Sequence, residues 1–159
     1  MMEKNGLLEQ SGLGNTERMH AYADVLGSLN AHNLKTLADQ LADDVVFVDP
    51  FHRVHGRRVF VAIMDDMFQR LDNVGFEIHQ VTPNPAPMTG GFLHWTFTAE
   101  SKLTGRFGFE GVSRVELNER GLISLHEDYW DSAELYRRIP GLKVLFNWLR
   151  KRTATHTES

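Results

Sequence analysis

Residues Leu41–Arg58 read LADDVVFVDPFHRVHGRR. Val45–Val48 is β-branched and aromatic, the composition of a strand. Pro50 ends or bends that strand, because proline has no N–H for a ladder. Then His52, Arg53 and His55 arrive in quick succession. A carboxylate at the end of an apolar strand is costly to bury. Asp49 therefore points into water, caps the Asp-Pro turn by accepting backbone N–H bonds, or works inside a pocket.

On the N-terminal side, Met19, Tyr22, Ala23, Leu26 and Leu29 recur at helical spacing, which predicts a helix over 16–31. Leu34, Leu37, Ala38 and Leu41 predict a shorter one over 34–41. On the C-terminal side, Phe60, Ile63, Met64, Met67 and Leu71 place a third helix over 57–71. Strands are expected over 75–82, 91–100, 106–117 and 122–131, with a proline-rich loop at 83–87 and a turn at 118–121. Helical pieces are expected over 132–138 and 142–151. Helices first and strands afterwards predict an α+β fold.

The chain has 159 residues, which suits one domain. The expected division is a loose arm over 1–15, a domain over 16–152 and a polar tail over 153–159. With a net charge of −4, no nucleic-acid partner is indicated. Cysteine is absent, which excludes disulfides and thiolate chemistry. No stretch reads as a signal peptide or reaches the length of a bilayer span, so the default expectation is a cytoplasmic protein. Arg137–Arg152 is basic and apolar together. Packing of that stripe on the domain is the expected fate, with contact to an anionic membrane surface a minor alternative.

Three stretches carry a family likeness. They are LADDVVFVDPFHRVHGRR, then VSRVELNERGLISLHEDYW over 112–130, and the Tyr-Trp-Asp at 129–131 that leads into a C-terminal helix. Together they resemble the nuclear transport factor 2-like superfamily, which includes ketosteroid isomerase and the SnoaL-like polyketide cyclases. The resemblance implies a cone: a curved, mixed, mostly antiparallel sheet wrapped on N-terminal helices, with an extra C-terminal helix and an apolar pocket inside. Matched to the isomerase, Asp49 takes the place of its general base. Side chains alternate across a strand, so this register turns Phe47 and Asp49 inward. The last hairpin turns His126, Asp128 and Trp130 inward, opposite Phe109, Gly111, Ser113 and Val115. Trp95 and Phe97 face the same way.

The resemblance also has gaps. Val25 stands where the isomerase has its helix tyrosine, with Tyr22 nearly one turn away, and Ser113 stands where it has a protonated aspartate. Loss of one oxyanion donor typically costs about a hundredfold in rate or more. The Asp-Arg-Asp set of limonene epoxide hydrolase, a cousin, is not offered by Gly111, Ser113 and Val115.

The candidate catalytic residues are thus Asp49, His126 and Asp128, with Phe47, Trp95, Phe97, Phe109, Ser113 and Trp130 lining the pocket. A carboxylate in an apolar pocket becomes a better base, because burial disfavours its charged form. His126 and Asp128 equally suit a buried hydrogen-bond network that only holds the core. His52 and His55 lack metal-ligand spacing and read as solvated residues or as the rim of the pocket. No metal or cofactor is implied. The expectation is proton transfer on a small apolar carbonyl compound by a homodimer joined through the open sheet face. A binding module of the same fold, for a small apolar ligand or a protein partner, is the alternative.

Overall fold

The computed structural model describes residues 13–102 and 105–133. The chain runs α1 (Asn15–Gly27), α2 (Leu34–Gln40), β1 (Leu41–Val48), β2 (Arg53–His55) and α3 (Arg57–Arg70). It continues as β3 (Asp72–Pro83), β4 (Gly91–Ser101), β5 (Gly105–Leu117) and β6 (Ile123–Trp130). The helix expected over 142–151, most of that over 132–138 and the tail lie outside the described residues, as does most of the arm.

The six strands form one curved sheet in the order β2-β1-β6-β5-β4-β3. Neighbours are antiparallel except β1 and β6, which run parallel. The last strand therefore returns beside the first, and Asp49 and Asp128 end at the same edge of the fold. The architecture is the expected α+β cone, with helices packed against the concave face.

Helix α1 buries Met19, Tyr22, Ala23 and Leu26, the i, i+3, i+4, i+7 stripe. It stops at Gly27, short of the expected 31. Ser28 Oγ donates to the Asp24 carbonyl, and Asn30 and Asn33 bond the backbone of the following turn. Such short polar side chains offer the chain an alternative to the helical ladder.

Strand β1 begins at Leu41, earlier than its apolar run. Leu41 pairs with Ile123, the register then slips, and pairing resumes at Val46 with Leu125. The slip leaves Asp43 and Asp44 exposed while Leu41, Ala42 and Val45 stay buried. Residues 49–52 form a tight turn closed by Asp49 N to His52 O and His52 N to Asp49 O. Aspartate first and proline second is a favoured turn composition. The chain reverses there into β2, a strand too short for periodicity to reveal. Gly56 follows at φ 99, a conformation that favours glycine, and starts α3.

Alternation on the long strands sets the core. On β4, Leu93, Trp95, Phe97 and Ala99 are buried while Phe92 is exposed. On β5, Phe107, Ser113, Val115 and Leu117 are buried while Val112 is exposed. Gly111 lies beneath the Trp95 ring, where a Cβ atom would collide with it.

Candidate functional site

The concave sheet face and α3 enclose a cavity of about 140 Å³. Its wall is mostly apolar: Leu26 of α1, Phe47 of β1, Ile63 and Met67 of α3, Phe97 of β4 and Trp130 of β6 all contribute. Phe47 stacks on Phe60 and Trp130 stacks on Phe109, each pair with centroids 4.3 Å apart. Such stacks add about 0.5–1.5 kcal/mol each to the burial of the rings. Among the described residues the polar lining is Asp49, His52, Ser113, His126 and Asp128, together with the exposed Arg70.

Five side chains form one hydrogen-bonded chain behind and within this wall. Tyr22 Oη lies 2.8 Å from His126 Nδ1. His126 Nε2 lies 2.7 Å from Asp128 Oδ1. Ser113 Oγ lies 2.5 Å from the same Oδ1 and accepts from Trp95 Nε1 at 2.8 Å. An indole can only donate, and an ionised carboxylate can only accept. With Asp128 ionised, the directions follow from those two ends. Tyr22 donates to His126, His126 donates from Nε2, and Ser113 donates its proton, so the donors at both flanks point toward Asp128. Burial, and after it the charge of Asp128, push the Tyr22 hydroxyl well above the ordinary tyrosine value of 10.0. Tyr22 therefore stays a neutral donor.

Within this chain Oδ1 of Asp128 is doubly held. No hydrogen bond among the described residues engages Oδ2, and the Asp128 side chain is 13% exposed. The carboxylate is thus fixed by one oxygen with the other left over, the arrangement a general base requires.

Asp49 is arranged differently. Its Oδ1 accepts the amides of Phe51 at 2.7 Å and His52 at 2.6 Å, and both its oxygens lie within 3.0 Å of His52 Nδ1. It lines the cavity and also caps the turn, so two of the alternatives open for it in the sequence are joined.

Of the two readings open for His52, the solvated one fails and the one at the pocket holds. His52 is 6% exposed and lines the cavity, because the turn folds it back under β1. His55 is exposed on β2. Tyr22 is the residue that pattern reading missed. It is on the helix face that meets His126 edge-on, centroids 5.8 Å apart, whereas Val25 is only partly buried. Its signal was the buried stripe of α1, which gives a facing direction but no partner. Among the described residues, no group of three or more His, Asp or Glu side chains is gathered for a metal ion. None of the described helices is long and apolar enough to cross a membrane.

A curved sheet wrapped on helices around an apolar cavity with inward carboxylates defines the class as nuclear transport factor 2-like. The family model of the SnoaL-like domain matches residues 20–126. The chain belongs to that family. Among solved structures, an LEH-like epoxide hydrolase from M. tuberculosis is 27% identical over 82% of this chain and 91% of its own, with a TM-score of 0.62. A protein with a ketosteroid isomerase-like fold from Catenulispora acidiphila, in complex with trimethylamine, is 16% identical over 79% and 93%, TM-score 0.62. An NTF2-like protein from Exiguobacterium is 16% identical over 72% and 98%, TM-score 0.61. None of the curated proteins matches the chain.

Proposed function

We propose that this protein catalyses proton transfer, of the isomerase or cyclase type, on a small apolar carbonyl compound, with Asp128 as the base and its own side chains as the machinery. The observation that carries this reading is the Asp128 carboxylate, anchored through Oδ1 by His126 and Ser113 with Oδ2 left over beside an apolar cavity. Such walls exclude water and hold a C–H beside a carbonyl against the base. His126 and Tyr22 act behind Asp128, both His126 nitrogens being taken by Asp128 and Tyr22.

The enclosed volume supports a ligand of about one ring. An engineered apolar cavity of about 150 Å³ binds benzene, against about 140 Å³ here. The test is hydrogen–deuterium exchange at the α carbons of cyclohexanone and cyclohex-2-enone in D₂O, followed by mass spectrometry. Exchange that Asp128→Asn lowers by about a hundredfold or more supports the reading. Exchange no faster than buffer, with cyclohexanone still bound, favours the binding module instead.

One observation favours a second reading, epoxide hydrolysis: the 27% identity to the LEH-like epoxide hydrolase. Asp128 would then take a proton from water as the water oxygen bonds to an epoxide carbon, the ring C–O bond breaks and the freed oxygen takes a proton from a second water. Diol formed from cyclohexene oxide, without ketone exchange, selects it. Either reading goes with a homodimer through the outer sheet face, where Phe92, Val112 and Tyr129 are exposed.

A further inference from the structure

We propose that His52, held by Asp49, is a second ligand-facing proton-transfer residue of this cavity and receives the carbonyl oxygen of a substrate whose acidic C–H faces Asp128. This rests on the acid–base reading above and adds to it a donor for the substrate oxygen.

The two carboxylate–imidazole pairs stand side by side. In the parallel β1–β6 ladder the last paired residues are Val48 and Glu127. Asp49 and Asp128 are each the next residue along, and neighbouring strands lie about 4.8 Å apart. Phe51, within the Asp49 turn, reaches Trp130 with centroids 5.4 Å apart. Asp49, His52, His126 and Asp128 all line the one cavity. A one-ring ligand filling it meets both pairs.

The pairs are built with opposite polarity. At Asp128 both imidazole nitrogens are engaged and the carboxylate keeps an oxygen for the ligand. At Asp49 it is the carboxylate that is engaged. Two amides and the His52 ring occupy it. Bonds from two amides keep Asp49 an acceptor, so the ring proton shared with it sits on Nδ1. Nε2, across the ring, is then the nitrogen that gains and loses a proton. A mere turn cap needs the Asp49 carboxylate and the two amides. It does not need a buried imidazole on the cavity wall.

The step balances on these groups. With His52 as imidazolium and Asp128 as carboxylate, Asp128 Oδ2 takes the α proton. The C–H electron pair becomes the enol C=C bond, and the carbonyl π pair takes the proton from His52 Nε2. When the proton on Asp128 is replaced by a solvent deuteron before return, delivery to the same carbon gives exchange; delivery to the γ carbon of a β,γ-enone gives double-bond migration. In both cases the enol O–H proton goes back to Nε2. The substrate class is a cyclic ketone or enone of about one ring.

The test is ¹⁵N NMR of the histidine side chains in the intact chain, with cyclohex-2-enone as probe, beside the exchange assay. His52 is expected as the Nδ1–H tautomer when neutral, with an Nε2 resonance that moves as the probe is added. Asp49→Asn keeps an oxygen for the amides but presents an NH₂ to Nδ1. It is expected to move the ring proton to Nε2 and to slow exchange about as much as His52→Gln, by about a hundredfold. A structural cap alone would not change the tautomer and the exchange rate together. Exchange in the wild type with Nε2 unmoved by the probe overturns this proposal and spares the Asp128 reading. Nε2 moved by the probe with no exchange in the wild type overturns the acid–base reading and retains the carbonyl contact. The tautomer and probe measurements need no variant, so a His52→Gln chain that fails to fold does not remove the test.

Discussion

Replacing Tyr22 by phenylalanine removes one oxygen from the buried face of α1 and leaves the ring in place. That oxygen lies 2.8 Å from His126 Nδ1, on a residue with no exposed surface. A buried acceptor deprived of its donor costs about 1–3 kcal/mol. Urea unfolding near neutral pH is therefore expected to find Tyr22→Phe about 2 kcal/mol less stable, with the slope against denaturant unchanged. The difference also has a pH signature. Burial holds the Tyr22 hydroxyl well above 10.0 in the folded protein. Above that value the unfolded chain loses a proton that the folded chain keeps. Stability present below 10.0 is thus lost as pH rises, by about 1.4 kcal/mol per pH unit. The variant has no such proton. About one pH unit above 10.0 the gap between the two proteins is expected to fall from about 2 to under about 1 kcal/mol. Tyr129, whose hydroxyl is raised by its hydrogen bond to Glu127, titrates alike in both and cancels. A gap that stays constant through this range refutes the argument from burial. No gap near neutral pH refutes the bond to His126.

Gly111→Ala places a Cβ against the Trp95 ring. It is expected to cost about 1–3 kcal/mol and to change Trp95 fluorescence, because that ring cannot shift without straining its bond to Ser113. Phe47→Ala opens a hole beside Phe60 at a position 2% exposed. Thermal and urea unfolding are expected to show a loss of about 3–5 kcal/mol. Arg114→Ala breaks the outer-face pair with Glu127, and since Arg114 is partly exposed the loss is expected below about 1 kcal/mol. Tyr129→Arg puts charge on the exposed outer face, and sedimentation is expected to show a monomer. A dimer that survives it counts against that face as the interface.

Much of the facing pattern was legible because β structure has a period of two. Once Val45–Val48 is read as a strand, Phe47 and Asp49 share a side. The same count puts His126, Asp128 and Trp130 opposite Glu127 and Tyr129, and Tyr129 is indeed exposed. The α1 stripe was legible by the same reasoning at helical period. What escaped was shorter than a period or depended on a partner far along the chain. Strand β2 has three residues. The bond from Tyr22 to His126 spans 104 residues, and no local pattern in α1 names its target. His52 looked like a loop residue because its burial comes from the turn at 49–52, which folds it under β1.

The stretch LADDVVFVDPFHRVHGRR shows the division in one place. Its composition alone determined a strand, a stop at Asp49-Pro50 and a helix after Gly56, since local sterics and hydrogen-bonding capacity act over a few residues. What Asp49 does there was decided by the turn, whose amides and His52 ring take up its oxygens. That Asp128 keeps an oxygen beside the cavity was decided by β4, β5, β6 and α1 meeting around it. Such an outcome belongs to tertiary structure, because a carboxylate's role follows from which donors reach it and which water is excluded, and both are set by residues remote in sequence.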